Sequence, residues 1–378
     1  GRDYPIDLTS YRHAGVARFR NGVVTSNEPN DALLNPEGAW WRYRFSWHLG
    51  AGQEIDELDG DSLPARYEAS RGIDIWDRYK ACLLNDVQTC NKTLTASDIH
   101  MTATSVYLYV SDGTTVQRSA DPELGGTATW TTITGLSGTI QDMTTDGSSV
   151  YIATTVDVYV VASGTAASAF STATTPGQKV AVAANRLLVG NDNVIGELGT
   201  TSFTAIYTHF QSAFRWTTVF SIGSRIYLGG FAGNRSELYS ATTDDTGALV
   251  LAAEAASFFS GELLNDGIGY AGSALICTSE GIRFASTAAD GTLQYGPVIG
   301  DYGAATSIAA EGRFAWVGVE NFPDSGSGLV RLALDEFTST LLPAYAPDLF
   351  TSASAAVEAV ARFGNLTYFA LSADEVYG

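Results

Sequence analysis

Four histidines, three cysteines and a surplus of carboxylates are the groups in this 378-residue chain whose chemistry could be catalytic. His100 and His209 stand alone, outside any nucleophile or metal-ligand spacing, and read as packed or surface side chains. Cys82, Cys90 and Cys277 have no histidine spaced for zinc beside them. Three thiols make no disulfide framework in a chain this long, and a Cys82–Cys90 bridge is left open. Carboxylates are numerous enough for a two-carboxylate hydrolase, yet their abundance singles out no pair. The run EIDELDGD from Glu54 to Asp61 fails as a calcium loop. With Gly60 in the sixth place, Ile55 would be first and Arg66 twelfth, so it reads as a solvated acidic loop. No phosphate-loop or dinucleotide fingerprint occurs, and the SGSG of residues 325–328 falls in a hairpin loop. The sequence therefore assigns no catalytic residue, no cofactor-binding residue and no metal ligand.

Recognition chemistry is better represented. The stretch AWWRYRFSWH from Ala39 to His48 alternates with period two. Trp41, Tyr43, Phe45 and Trp47 fall on one face; Trp40, Arg42, Arg44 and His48 fall on the other. Aromatic residues beside arginine are the composition enriched at protein–protein contacts, so Trp40, Trp41, Arg42, Arg44 and Trp47 are a candidate attachment interface. The competing reading is that Arg42 and Arg44 only solvate an exposed face. A second candidate is the longest hairpin insertion, ENFPDSGSG from Glu320 to Gly328, where Asn321, Phe322 and Asp324 could touch a receptor.

The elements that must position these residues follow from a repeat. Strand–turn–strand units begin at Ser105, Ser149, Arg186, Arg225, Ser273, Phe314 and Leu366. Aligning Tyr107, Tyr151, Leu188, Tyr227, Leu275, Trp316 and Tyr368 gives spacings of 44, 37, 39, 48, 41 and 52 residues. Strand pairs recurring at this period predict an all-β fold, a seven-bladed β-propeller, with one blade per repeat. Two residues beyond each anchor the residue is small in six of seven units, as at Ala153, Gly190 and Gly318, and crowding near the central axis would account for it. A β-rich N-terminal module is predicted over residues 1–92 and the propeller over 93–378, with an incomplete last blade. The run Ala81–Thr89 could close the ring; otherwise further chain would be needed.

Second halves of three repeats, from Arg118, Tyr239 and Ala285, share Ser, Asp, Gly and an apolar residue in order. They resemble a worn Asp-box turn of sialidase-type propellers, which implies a structural turn remote from catalysis. A sialidase would also need clustered arginines, and the ten Lys/Arg of residues 96–378 are scattered among the blades. Against 27 Asp/Glu they leave that region at −17, whereas residues 1–95, with 11 against 14, carry −3. Such acidity disfavours nucleic acid as a partner and otherwise serves solubility. No stretch approaches the 18 apolar residues of a membrane-spanning helix.

SYRHAGVARF (Ser10–Phe19), GAWWRYRFSWHLGAGQ (Gly38–Gln53) and SRGIDIWDRYKACLLNDVQT (Ser70–Thr89) resemble the opening of minor tail proteins of siphoviruses that infect actinobacteria. The resemblance is specific over about the first 92 residues and looser over the blades. It implies a non-enzymatic virion component at the tail tip, assembled in the host cytoplasm and present in multiple copies. Other tail-tip proteins and a host cell-envelope glycan or protein would be its partners. The rival expectation is a secreted or virion-associated cell-wall glycan hydrolase or lectin on the same fold.

Overall fold

The computed structural model describes residues 88–122, 128–270, 272–299, 303–312, 314–322, 326–333, 344–352 and 356–378, with four two-residue strands nearer the N-terminus. The chain divides into two compact units, Gly1–Leu84 and Asn85–Gly378. In the first, Phe19–Arg20 pairs with Val23–Val24 and Ile73–Asp74 with Cys82–Leu83. Trp40, Trp41, Arg42, Arg44 and Trp47 lie outside the described residues.

The second unit is a seven-bladed β-propeller of four-stranded antiparallel sheets. Blades 1 to 6 span residues 101–132, 140–169, 179–208, 215–257, 264–299 and 305–352. Blade 7 takes three strands from residues 357–377 and its fourth, Thr89–Thr93, from the start of the unit. Register in that closure is Glu375 opposite Thr93 and Tyr377 opposite Thr89. Gln88 and Gly378 exchange backbone hydrogen bonds at 3.2 and 3.0 Å. Of the expected closing run Ala81–Thr89, the described residues that take part are its last two, Gln88 through its backbone bonds and Thr89 as the first residue of the closing strand. Cys90 and Leu94 are the reason: both are buried among Leu108, Tyr368 and Val376, which fixes which residues can fill the seam. Cys90 is a free thiol, so no Cys82–Cys90 bridge forms, and burial with Glu375 nearby pushes it up to about 12.

Every repeat anchor lies on the second strand of its blade or, for Tyr107, immediately before it. These strands are covered on both faces by neighbouring blades, as in the continuous burial of Leu187–Gly190, and so read as apolar runs. Outermost strands meet water, as at Thr131–Thr132 and Ser168–Ala169. The strand nearest the axis is instead the first of each blade, and first strands of successive blades touch all round the ring. Axial crowding therefore does not explain the small residues two beyond the anchors. They face the next blade: a Cβ on Gly229 would lie 2.4 Å from Leu264 Cδ2, and one on Gly318 2.7 Å from Val357 Cγ1. Leu264 and Val357 each open the first strand of the following blade and are fully buried.

Polar staples repeat across these seams. First strands of blades 4, 5 and 6 carry a bulge whose extra residue donates to the carbonyl that opens the next blade. The bonds are Thr217 Oγ1 to Leu264 O (2.6 Å), Asn265 Nδ2 to Ala305 O (2.7 Å) and Thr306 Oγ1 to Val357 O (2.5 Å). Farther out, Arg186 donates to Gly247 O at 2.6 Å and Arg225 to Asp290 O at 2.9 Å. Those acceptors belong to the turns predicted from the Ser–Asp–Gly pattern, and the turns are structural. Asp244 accepts from the amide and hydroxyl of Thr246, and Asp290 does the same with Thr292. Gly247 and Gly291 hold φ of 86° and 90° there, where an L side chain would be strained.

Blade 5 also buries a full ion pair. Arg283 donates to both oxygens of Glu262, at 2.5 and 3.0 Å, and to Gly296 O at 2.8 Å. Both side chains are nearly excluded from water, so each charge depends on the other.

Candidate functional site at the propeller axis

The first-strand residue opposite each small position falls at one level around the axis. In blades 1 to 7 it is Thr102, Asp142, Lys179, Thr218, Asp266, Ser307 and Ala359. Charged residues in otherwise apolar strands (IQDM, KVAV, LNDGI) were the sequence signal for this level, visible only once the register is known. Lys179 Nζ lies 3.1 Å from Asp142 Oδ2, and the same oxygen accepts from Val180 N at 2.9 Å. Asp266 repeats the device with blade 6, accepting from Ile308 N at 3.4 Å and from Gly267 N at 2.8 Å. Burial pulls the other way, but Asp142 and Asp266 hold the Lys179 ammonium above its ordinary value. Burial holds the Asp266 carboxyl above the usual range despite Lys179.

His100, just before the first strand of blade 1, approaches Asp98 at 3.3 Å and Asp142 at 3.7 Å. Beside it at the seam of blades 7 and 1, burial together with Glu320 and Asp98 pushes Glu358 up to about 7. Glu358 sits at the bulge position that carries Thr217, Asn265 and Thr306 in other blades. His209 is elsewhere and structural. It is 1% exposed, stacked on Phe214 at 3.9 Å, and bonded through Nε2 to Glu237 at 3.1 Å while Nδ1 accepts from Gln211 N. Tyr239 and Arg235 engage the same Glu237 carboxylate.

Asn321 and Phe322 close the second strand of blade 6, with Phe322 paired to Gly326; Asp324 lies outside the described residues. Glu320 N donates to Ala304 O, which puts this hairpin at the end of the ring where first strands begin. The described ends of the predicted contact loop thus lie at the end of the ring where the strands that carry the axial charges begin. Among the described residues no group of three or more His, Cys, Asp or Glu is placed to hold a metal ion.

No protein family and no curated protein matches the chain by sequence. Among solved structures it is similar to hydrazine synthase of Kuenenia stuttgartiensis, with TM-score 0.55 and 13% identity over 75% of this chain and 96% of that one. It is similar too to selenomethionine-substituted virginiamycin B lyase from Staphylococcus aureus, at 0.57 and 12% over 77% and 98%. The WD40 β-propeller domain of Doa1 gives 0.55 and 10% over 78% and 98%. At such identities the likeness establishes the propeller fold alone.

Proposed function

We propose that this protein is a non-enzymatic recognition component of an actinobacterial siphovirus tail tip, its propeller turned toward the host envelope. The observation that carries the recognition part is how the axial charges are used. Lys179 is paired with Asp142, and Asp142 and Asp266 each accept from a backbone amide of the next blade, which stiffens the ring and leaves its loops to do the binding. The tail-tip part rests on the resemblance of Ser10–Phe19, Gly38–Gln53 and Ser70–Thr89 to minor tail proteins. In this reading Trp40, Trp41, Arg42, Arg44 and Trp47 dock the chain to other tail-tip proteins, in several copies around the tail axis. Asn321, Phe322 and Asp324 contact a host glycan or protein.

Immunogold microscopy of intact virions with antibody against residues 88–378 tests the location: gold confined to the tail tip supports it, and unlabelled tips beside well-labelled control proteins oppose it. Deleting Asn321–Ser327 should leave a folded chain that binds host cells more weakly. One observation favours the hydrolase alternative, since Glu358 at about 7 could donate a proton at neutral pH. Turnover of wall glycan that Glu358→Gln abolishes would favour that reading.

A further inference from the structure

The position that pairs with each small residue on its other side, in the third strand, is a buried aliphatic in six blades. It is Val158, Ile195, Leu238, Ile282, Leu329 and Val376 in blades 2 to 7. Blade 1 breaks the rule on both strands, placing Arg118 opposite Tyr109. Arg118 is 8% exposed, yet none of the described carboxylates lies within ion-pair reach of it. Its guanidinium stacks 3.8 Å above the Tyr107 ring and donates to Tyr109 OH at 3.3 Å. Neither contact replaces the solvation that a buried cation gives up, which is why the buried arginine of blade 5 has a carboxylate on it.

Arg118 opens instead onto a cleft of 470 Å³ lined by Tyr107, Ser119, Asp121, Thr129 and Thr131 among others. That volume suits one or two sugar rings. We infer that this cleft binds a carboxylated sugar, with the ligand carboxylate on the Arg118 fork. Around it, Ser119, Thr129 and Thr131 offer hydroxyls that can donate or accept, and the exposed Asp121 carboxylate at the rim accepts from sugar hydroxyls. A guanidinium already stacked and largely desolvated loses little further freedom on binding, so a planar carboxylate is the complement it fits. Asp121 selects against ligands whose far side is anionic. The inference deepens the recognition reading by naming a ligand class, and depends on it only for the source of the sugar.

Titration calorimetry and saturation-transfer NMR of the full chain with glucuronate, glucose and acetate test it. Glucuronate should bind at least tenfold more tightly than glucose or acetate. Arg118→Leu, the residue type the other blades carry, should fold normally by circular dichroism and lose glucuronate binding at least tenfold. Arg118→Lys, which keeps the charge without the fork, should fall between. Equal binding of glucose would overturn the charge contact, and equal binding of acetate the sugar. Retention of glucuronate by a folded Arg118→Leu would overturn the site. Host-cell binding by the same proteins separates the two proposals. Glucuronate binding without cell binding leaves the cleft standing and removes the recognition reading. Cell binding without glucuronate binding does the reverse.

Discussion

Blades 1 and 5 each bury an arginine in the third strand, and they resolve its charge in opposite ways. In blade 5, Arg283 is held by both oxygens of Glu262, a bidentate pair nearly excluded from water. In blade 1, the contacts of Arg118 among the described residues are with two tyrosines, and it lines a cleft with Asp121 at its rim. A buried pair is a self-contained piece of packing, whereas a buried charge with no counter-charge is maintained at a cost that packing does not return. Within one ring of equivalent units, that contrast marks blade 1 as the site where stability has been exchanged for an available cation.

The largest way to break the contrast is to strip Arg283 of its partner. Glu262→Gln leaves the guanidinium buried and uncompensated and should destabilise the propeller by about 3–5 kcal/mol in denaturant unfolding. The double change to Glu262→Met with Arg283→Leu should recover most of that loss. Next comes the seam packing that blade 1 does without. Gly229→Ala drives a methyl into Leu264 and should cost about 1–3 kcal/mol by the same measurement.

Glu358 gives a smaller effect with a defined sign. Its folded value near 7 lies above the ordinary 4.5, so the group favours the folded state fully below pH 4.5, and that contribution is lost as pH rises through 7. Thermal unfolding should show a loss of stability from pH 5 to pH 8 that Glu358→Gln diminishes, with the variant the more stable of the two at pH 8. The smallest expected change is in Arg118→Leu, whose stability should stay within about 1 kcal/mol of the parent, or rise, because an aliphatic is what the other six seams accept. A large loss there would make Arg118 a packing residue like Arg283.

Much of this architecture was legible in the chain. The seven anchors set blade number, and the Ser–Asp–Gly turns reveal themselves by local side-chain chemistry, because such turns are closed by atoms a few residues apart. The closing strand was less legible. Thr89–Thr93, TCNKT, carries no apolar run, and only Cys90 touches the core from it, so its place depends on a partner 286 residues away, where Thr89 Oγ1 bonds Glu375. The axial level and the Arg118 cleft were hidden for a related reason. Nothing in VQRSAD separates Arg118 from a solvated arginine until the register sets it opposite Tyr109.

What the sequence by itself determined is therefore the repeat, the strand content, the turns and the acidity, all of which follow from residues close together in the chain. What only the tertiary structure decided is which strand faces the axis, what crowds the small residues, which strand closes the ring, and which of two arginines has a carboxylate on it among the described residues. Those depend on contacts between blades about 40 residues apart or more, where burial and pairing are set by geometry that local spacing does not encode.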